Sequence, residues 1–571
     1  MASTLLAYHA ASKHSFSGYA DSPGFLDWET QPDPFRRFEG SPETPLDLPS
    51  DGAGPCYDLL FDRPPEPAPL SLRSLSRFLF ESLALSAWKK APHSAPWSLR
   101  VNPSSGNLHP TEGYLLLPPL AGSRSAGVFH YSPLRHSLEA RRFLSADQWE
   151  EMVSGLPPGT FFAGLSSIYW REAWKYGERA FRYCHHDLGH ALGALALSAR
   201  IHGWRSLVLP AVGEPELARI LAVEHQQGPE AERADCLLAI FPDRDNRLDA
   251  ATRSFQLPAA LLATLRDQRP LGDPNRLSSD HLPWPLLEQA IDSAAYSGGW
   301  PGEETISCPA VPPVVPLSSE GASLLLRRRR SAMAMDGKTS ISRDSFLRIL
   351  SQLLPRGDSF PFALLPWRPR VSLLFFVHRV QGLSAGLYLL LRSPAHEASL
   401  RRELRPEFAW RTPPGLPEAL PFYHLVEGDF RELAAQISCY QTIASGGCFA
   451  LAMLADLSDV QERPWFYPRL FWECGLVGQL LYLGAEAAGL QGTGIGCYFD
   501  DGLHDLVGVR GLPWQSLYHF TVGRGVVDRR LQTRPAYADL RRTAGSAESA
   551  EKQAGSFGTP QEKACAQGRL V

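Results

Sequence analysis

Several stretches of this sequence carry side chains whose types and spacing could do chemistry. Asn102-Pro103-Ser104-Ser105-Gly106-Asn107-Leu108-His109-Pro110-Thr111-Glu112 gathers hydroxyls and amides into one polar loop. It reads either as a turn into a strand or as a set of hydrogen bonds for a heteroaromatic edge or a sugar chain. Arg327-Arg328-Arg329-Arg330-Ser331 is either a solvated linker patch or a phosphate clamp, since guanidinium forks bind phosphate oxygens in pairs and the serine adds a donor. Gly492-Thr493-Gly494-Ile495-Gly496-Cys497 would let the backbone approach a planar or phosphorylated ligand and would offer N–H donors, although a tight turn needs the same glycines. Lys175-Tyr176 sets an amine beside a phenol, the components of an acid–base step if burial lowers the lysine pKa. Beside Glu172 and Glu178 the same lysine could equally be a surface cation. His186 and His190 have the i, i+4 spacing of a zinc-hydrolase helix, with Asp187 where such a helix usually carries Glu. Asp500-Asp501 reads as a helix N-cap.

The elements that must position these groups show an internal repeat. Residues 187–223 and 473–509 align without a gap: DLGHALGALALSARIHG in the first copy faces ECGLVGQLLYLGAEAAG in the second. Each opens on an acidic residue, repeats apolar positions at helical spacing, and closes on a glycine suited to a C-cap, Gly203 or Gly489. A short helix follows in each, with Leu217, Ile220 and Val223 matching Leu503, Leu506 and Val509. Strand candidates are 113–117, 128–131, 372–380, 386–391 and 518–522, and a further helix begins near Ser342 or Asp344. Each half is therefore expected to be α+β. The copies differ after the long helix, where the first has Ser206-Leu207-Val208-Leu209-Pro210-Ala211; Pro210, opposite Gly496, has no N–H to offer. Only the second copy is equipped to bind there. A dinucleotide-binding reading fails because these glycines follow a helix rather than a strand.

Proline and glycine clusters divide the 571 residues into an extended segment (1–68), a first domain (69–270), a linker (271–317), a second domain (318–540) and a disordered tail (541–571) too poor in apolar residues to fold. Lysine and arginine number 56 against 60 acidic residues, so no global positive field exists for nucleic acid or an acidic membrane. Nine cysteines without a C-x-x-C pair suit a reduced, cytoplasmic chain with no structural zinc. No export signal or membrane span is expected.

At the polar loop, at WKYGERAFRYC (174–184), at Arg329-Arg330-Ser331 and at FWECGLVGQLLYLGAEAAGLQGTGIGCYFDD (471–501), the sequence resembles the FMN-dependent nitroreductase superfamily. Within it the SagB-type branch, which includes azoline oxidases of peptide natural-product pathways, is the more similar. The resemblance spans about residues 70–540 and implies a fused tandem of two nitroreductase-like domains, each a mostly antiparallel sheet flanked by helices, forming an intramolecular pseudo-dimer. In that family FMN lies at the interface of an intertwined dimer. The resemblance therefore implies one composite flavin site: Arg329, Arg330, Ser331, Gly494, Gly496, Cys497 and Arg530 from the second domain, and Pro103, Ser104, Ser105 and Asn107 from the first. Lys175 and Tyr176 match the Lys-Tyr pair that azoline oxidases use as acid and base. The expected activity is a nitroreductase-like reduction or a SagB-type dehydrogenation of a small-molecule or peptide-derived substrate, with NAD(P)H as a candidate reductant and a monomer in solution. A catalytically inactive flavin- or partner-binding pseudo-dimer is the alternative, and a metal hydrolase using His186 and His190 a remote one.

Overall fold

Two long helices, Ala180–Ile201 and Tyr467–Ala487, organise the fold. Both are enclosed by protein, the first buried along its whole length although it carries Arg182, His185, His186, Asp187, His190 and Arg200. Each ends where a glycine takes the left-handed conformation that a side chain resists, Gly203 at φ +67° and Gly489 at φ +70°. The helices pack on each other, and the crossing is made of small residues. This computed structural model describes residues 2–50, 52–120, 125–244, 250–303, 318–357 and 359–540.

Each long helix belongs to a half built on an antiparallel sheet, so the architecture is α+β. In the first half the strand order is Glu43–Pro45, Ser137–Leu144, Ala126–Ser132, Thr111–Leu117, Phe161–Ser167, Arg233–Pro242, Trp204–Val208. In the second it is Phe422–Glu427, Gly386–Leu390, Val371–Val377, Phe449–Asp456, Trp514–Gly523, Gln491–Ile495. Apart from the extra edge strand Glu43–Pro45, the two orders correspond, so the repeat seen over the helices extends through both sheets. Separate cores lie on the sheets, one around Tyr114, Leu116, Phe162 and Leu221, the other around Leu374, Leu389, Leu454 and Trp514. The strand Gln491–Ile495 corrects the expectation of a loop: its glycines pair along Trp514–Gly523.

The chain divides into two compact units. The larger, Met1–Ala84 with Arg100–Val527, holds both sheets and both long helices. The smaller joins Leu85–Leu99 to the segment from Asp528 onward; within it Gln532–Pro535 pairs antiparallel with Leu85–Lys90, and the Tyr537 hydroxyl accepts from the Leu85 N–H.

The N-terminal segment, expected to be extended, opens on a helix, Ala2–Ala11, whose Leu5, Tyr8 and His9 are buried. His9 hydrogen-bonds Tyr467 and Gln515 of the second half. The expected linker carries a helix, Pro285–Ser293, and the expected tail lies outside the described residues. Asp500 is no N-cap. It is a buried carboxylate gripped by Arg179 (3.2 Å), Arg182 (2.7 Å) and the His14 N–H (3.1 Å), and these charges hold its pKa far below the usual range despite burial. No helix among the described residues is long and apolar enough to cross a membrane.

Candidate functional site

The helix Ala322–Arg328 stops as Arg329 turns extended, and the chain then runs beside the glycine-rich strand. Ser331 bridges Gly492 in parallel, and the Ala332 N–H donates to the Gly492 carbonyl at 3.2 Å. Tyr482, on the second long helix, ties the two together: its hydroxyl lies 2.8 Å from the Ser331 Oγ and accepts from the Gly494 N–H at 3.1 Å. Arg329 is buried and turned inward, donating to the carbonyls of Val101 (3.3 Å) and Arg100 (3.2 Å) with its guanidinium 5.0 Å from the centre of the Tyr482 ring. It therefore joins the arginine segment of the second half to the residues that lead into the Pro103–Asn107 loop of the first. Arg330 is half-buried and donates to its own backbone neighbours, the carbonyls of Arg327 and Arg329. Burial, with Arg329 and Arg327 alongside, depresses its pKa to about 10. Arg329 is depressed by burial too, and makes no ion pair among the described residues.

The glycine strand also reaches the first half. The Gly496 carbonyl accepts from the Arg179 Nε (3.2 Å) and Nη2 (2.9 Å), and a Cβ built on Gly496 would collide with the Tyr183 ring. Tyr183 meets Tyr176 edge to face at 4.6 Å, and a Cβ on Gly106 would lie 2.7 Å from the Tyr176 hydroxyl. Gly494 faces Tyr518, whose hydroxyl bonds the His190 Nε2 at 3.0 Å. These glycines are thus required by tyrosine packing, a cause that the sequence pattern did not reveal. The N–H groups of Gly496 and Cys497, half-exposed at the strand end, donate to no acceptor among the described residues.

The polar loop is organised from below by Asp187. Ser105 donates its N–H (2.9 and 3.0 Å) and its hydroxyl (2.9 Å) to that carboxyl. The Ser104 hydroxyl accepts from the His109 N–H at 2.8 Å, and Asn107 pairs with the His109 ring at 3.1 Å. The serine donors expected to face a ligand are largely spent inside the loop. Burial pushes Asp187 up to about 7, against the hydrogen bonds from Ser104 and Ser105. Glu172, fully buried nearby, is raised by burial and by the Asp187 charge. The Tyr176 hydroxyl is also raised, first by burial and then by Glu172. Lys175 is half-exposed, with its Nζ 5.2 Å from the Tyr176 ring centre.

The structure brings Pro103, Ser104, Ser105, Asn107, Lys175, Tyr176, Arg329, Arg330, Ser331, Gly494, Gly496 and Cys497 into one connected region. Arg530 belongs to the smaller unit, where its exposed guanidinium pairs with Asp528 at 2.8 Å. His186 and His190 are core residues. The His186 Nε2 donates to the Leu517 carbonyl at 2.9 Å and its ring stacks on Tyr518 at 4.1 Å; among the described residues no group of three His, Cys, Asp or Glu is placed to hold a metal. Tyr183, Tyr482, Tyr518 and Asp187 are the positioning residues that sequence reasoning missed. At the equivalent strand end of the first half, the Pro210 carbonyl accepts from the Tyr296 hydroxyl at 2.7 Å and the Ala211 carbonyl from the Gly299 N–H at 2.9 Å. Trp300 packs there on Trp465 at 5.2 Å, so the segment 296–302 covers this end.

No family model matches the chain. A protein of Methanocaldococcus jannaschii, named as a provisional nitroreductase, is 27% identical over 163 residues, 28% of this chain and 77% of that protein. A crystal structure of a provisional nitroreductase from Anabaena variabilis overlays 92% of this chain and 99% of its own with a TM-score of 0.63 at 20% identity, which shows the fold. A provisional nitroreductase from Exiguobacterium sibiricum, solved in complex with FMN, covers 36% of this chain and 87% of its own at 14% identity with a TM-score of 0.20. The chain has the nitroreductase-like fold over nearly its whole length.

Proposed function

We propose that the chain is an FMN-dependent oxidoreductase of nitroreductase type with one composite flavin site shared between its two halves. The observation that carries this reading is the strand end at Gly496 and Cys497. It has unclaimed N–H donors, lies beside an arginine-rich segment on one side, and is joined through Tyr183 and Tyr176 to the polar loop of the other half. Two buried or half-buried guanidiniums whose charge is penalised by burial suit an anion, so the segment Arg329–Ser331 would hold the phosphate. The free N–H groups would face the ring, and the loop Pro103–Asn107 would close the site from the first half. When bound, FMN supplies the hydride and electron chemistry.

The chain's own residues do the rest. Tyr176, held protonated by its surroundings, is a proton donor at the mouth of the site, with Lys175 beside it. Asp187 fixes the loop through Ser105. This set supports either reduction of an electrophilic small molecule, with NAD(P)H as reductant, or SagB-type dehydrogenation of a peptide-derived heterocycle. The covering of the equivalent end by Tyr296 and Trp300 supports one flavin per chain. Because both sides of the site come from one polypeptide, the active form is a monomer. Titration of FMN fluorescence tests the cofactor assignment. Wild type quenches it saturably, the Arg329→Ala/Arg330→Ala chain binds roughly 100-fold or more weakly, as expected for loss of two charge-assisted contacts, and equal binding by both would refute the phosphate role.

A further inference from the structure

A pair of cysteines lies at the same strand end, joined by chain geometry that the flavin reading does not use. The helix Arg431–Ile437 is followed by Cys439 and Tyr440, both in the left-handed region at φ +52° and +60°. Non-glycine residues seldom adopt that conformation, and the surroundings must hold them in it. What holds them is the segment Cys497–Phe499. The Phe499 N–H donates to the Ile437 carbonyl at 2.7 Å, the Gln441 side chain donates to the Cys497 carbonyl at 3.0 Å, and the Tyr440 and Phe499 rings lie 5.7 Å apart. These bonds set the Cys439 turn against Cys497, close enough for each thiol to act on the other's titration. His14 lies beside the pair: it bridges Phe499 in parallel, its Nδ1 accepts from the Ala20 N–H at 2.9 Å, and it favours the Cys497 thiolate.

The two sulfurs are chemically unequal. The neighbouring Cys439 thiol, then His14 and the Arg179 charge, lower the Cys497 pKa, whereas Cys439 is raised by Cys497 and by burial. Asp500, Tyr19, Tyr176 and Tyr183 also face the pair, and Arg179 offsets the Asp500 charge. Both residues are half-buried, as is Cys56, whereas Cys184, Cys236, Cys448 and Cys474 are buried. A thiolate beside a second, protonated thiol is the arrangement of an attacking and a resolving cysteine.

We propose that Cys439 and Cys497 form a reversible dithiol–disulfide pair that reacts with low-molecular-weight disulfides, Cys497 attacking and Cys439 resolving. The Cys497 thiolate attacks one sulfur of the small disulfide, whose S–S bond breaks to release one thiolate. Cys439 then loses its proton to solvent and attacks the Cys497 sulfur of the mixed disulfide, releasing the second small thiolate. The protein loses two electrons and one bound thiol proton; the small disulfide gains the electrons and leaves as two thiol equivalents. The resulting bond would lock the strained turn onto the strand end beside the Gly496 and Cys497 N–H groups.

The test uses the full-length chain with oxidised glutathione at neutral pH, acid quenching, alkylation and peptide mapping over time. Wild type is expected to pass through a glutathione adduct on Cys497 to a Cys439–Cys497 cross-link that dithiothreitol reverses, with Cys497 reacting roughly tenfold or more faster than any other cysteine. Cys439→Ser is expected to stall at the adduct. A wild-type adduct on Cys497 that persists without a cross-link, first attack at Cys439, or no reaction at either would overturn the proposal. None of these readouts depends on bound flavin, so failure here leaves the cofactor reading standing, and the converse also holds.

Discussion

Gly189 and Gly475 hold equivalent positions in the two repeats and pack against each other where the long helices cross. A Cβ on Gly189 would lie 2.8 Å from the Gly475 Cα, and one on Gly475 would lie 2.7 Å from the Gly189 Cα. The next contacts are reciprocal as well: Gly189 faces the Trp472 carbonyl, and Gly475 faces that of His186, the residue aligned with Trp472. This is the self-complementary pattern of a twofold interface, made here within one chain. It brings Tyr482 and the glycine strand from one half next to the polar loop of the other.

Gly475→Val is expected to lower stability. Valine gains helix propensity over glycine by less than about 1 kcal/mol, but its branches meet backbone atoms that cannot rotate away, and overpacking of that kind costs about 1–3 kcal/mol or more. Chemical denaturation of the variant should show a lower midpoint than wild type; an unchanged midpoint would mean that the helices do not cross as closely as described.

How much of this was legible beforehand varied with the origin of each element. The strands Thr111–Leu117, Val371–Val377 and Gly386–Leu390 are rich in aromatic and aliphatic residues and were readable. The Ser342 start was readable too: its side chain accepts from the Ser345 N–H and caps Arg343–Gln352. Gln491–Ile495 was not, because its glycines have little strand propensity and the ladder to Trp514–Gly523 makes it a strand. The N-terminal helix was missed because its burial depends on partners such as Tyr467, far along the chain. Within the candidate site, the polar and glycine-rich segments stood out by composition, whereas Tyr183, Tyr482 and Tyr518 look in sequence like any buried aromatic. The fate of the Arg329 guanidinium, set by the carbonyls of Arg100 and Val101, had no local signal.

Stability should fall as pH rises from about 4 to about 7 because of Asp187. Its carboxyl sits at about 7 in the fold, above the ordinary aspartate value near 4. The unfolded chain therefore ionises first, and the contribution present below about pH 4 is lost by about pH 7, at up to roughly 1.4 kcal/mol per pH unit. Asp187→Asn keeps an oxygen for Ser105 while removing the titration, so urea midpoints between pH 5 and pH 8 should decline less steeply in the variant. Parallel declines would contradict this assignment.

Tyr176→Phe removes the proposed proton donor while keeping the ring that packs on Tyr183. Turnover with an electrophilic acceptor or a heterocyclic substrate is expected to drop by about 10²- to 10⁴-fold, the usual range for loss of a general acid, with FMN affinity little changed. A variant that turns over normally would move the proton-transfer role elsewhere, and one that loses FMN would make Tyr176 a positioning residue.

The composite site is tested most directly by counting flavin: the absorbance spectrum of the purified chain, before and after incubation with FMN and desalting, followed by denaturation and quantitation of released flavin. One site between unequal halves predicts about one FMN per chain. A colourless chain that takes up no added FMN would contradict the flavoenzyme reading, and about two per chain would contradict the single site.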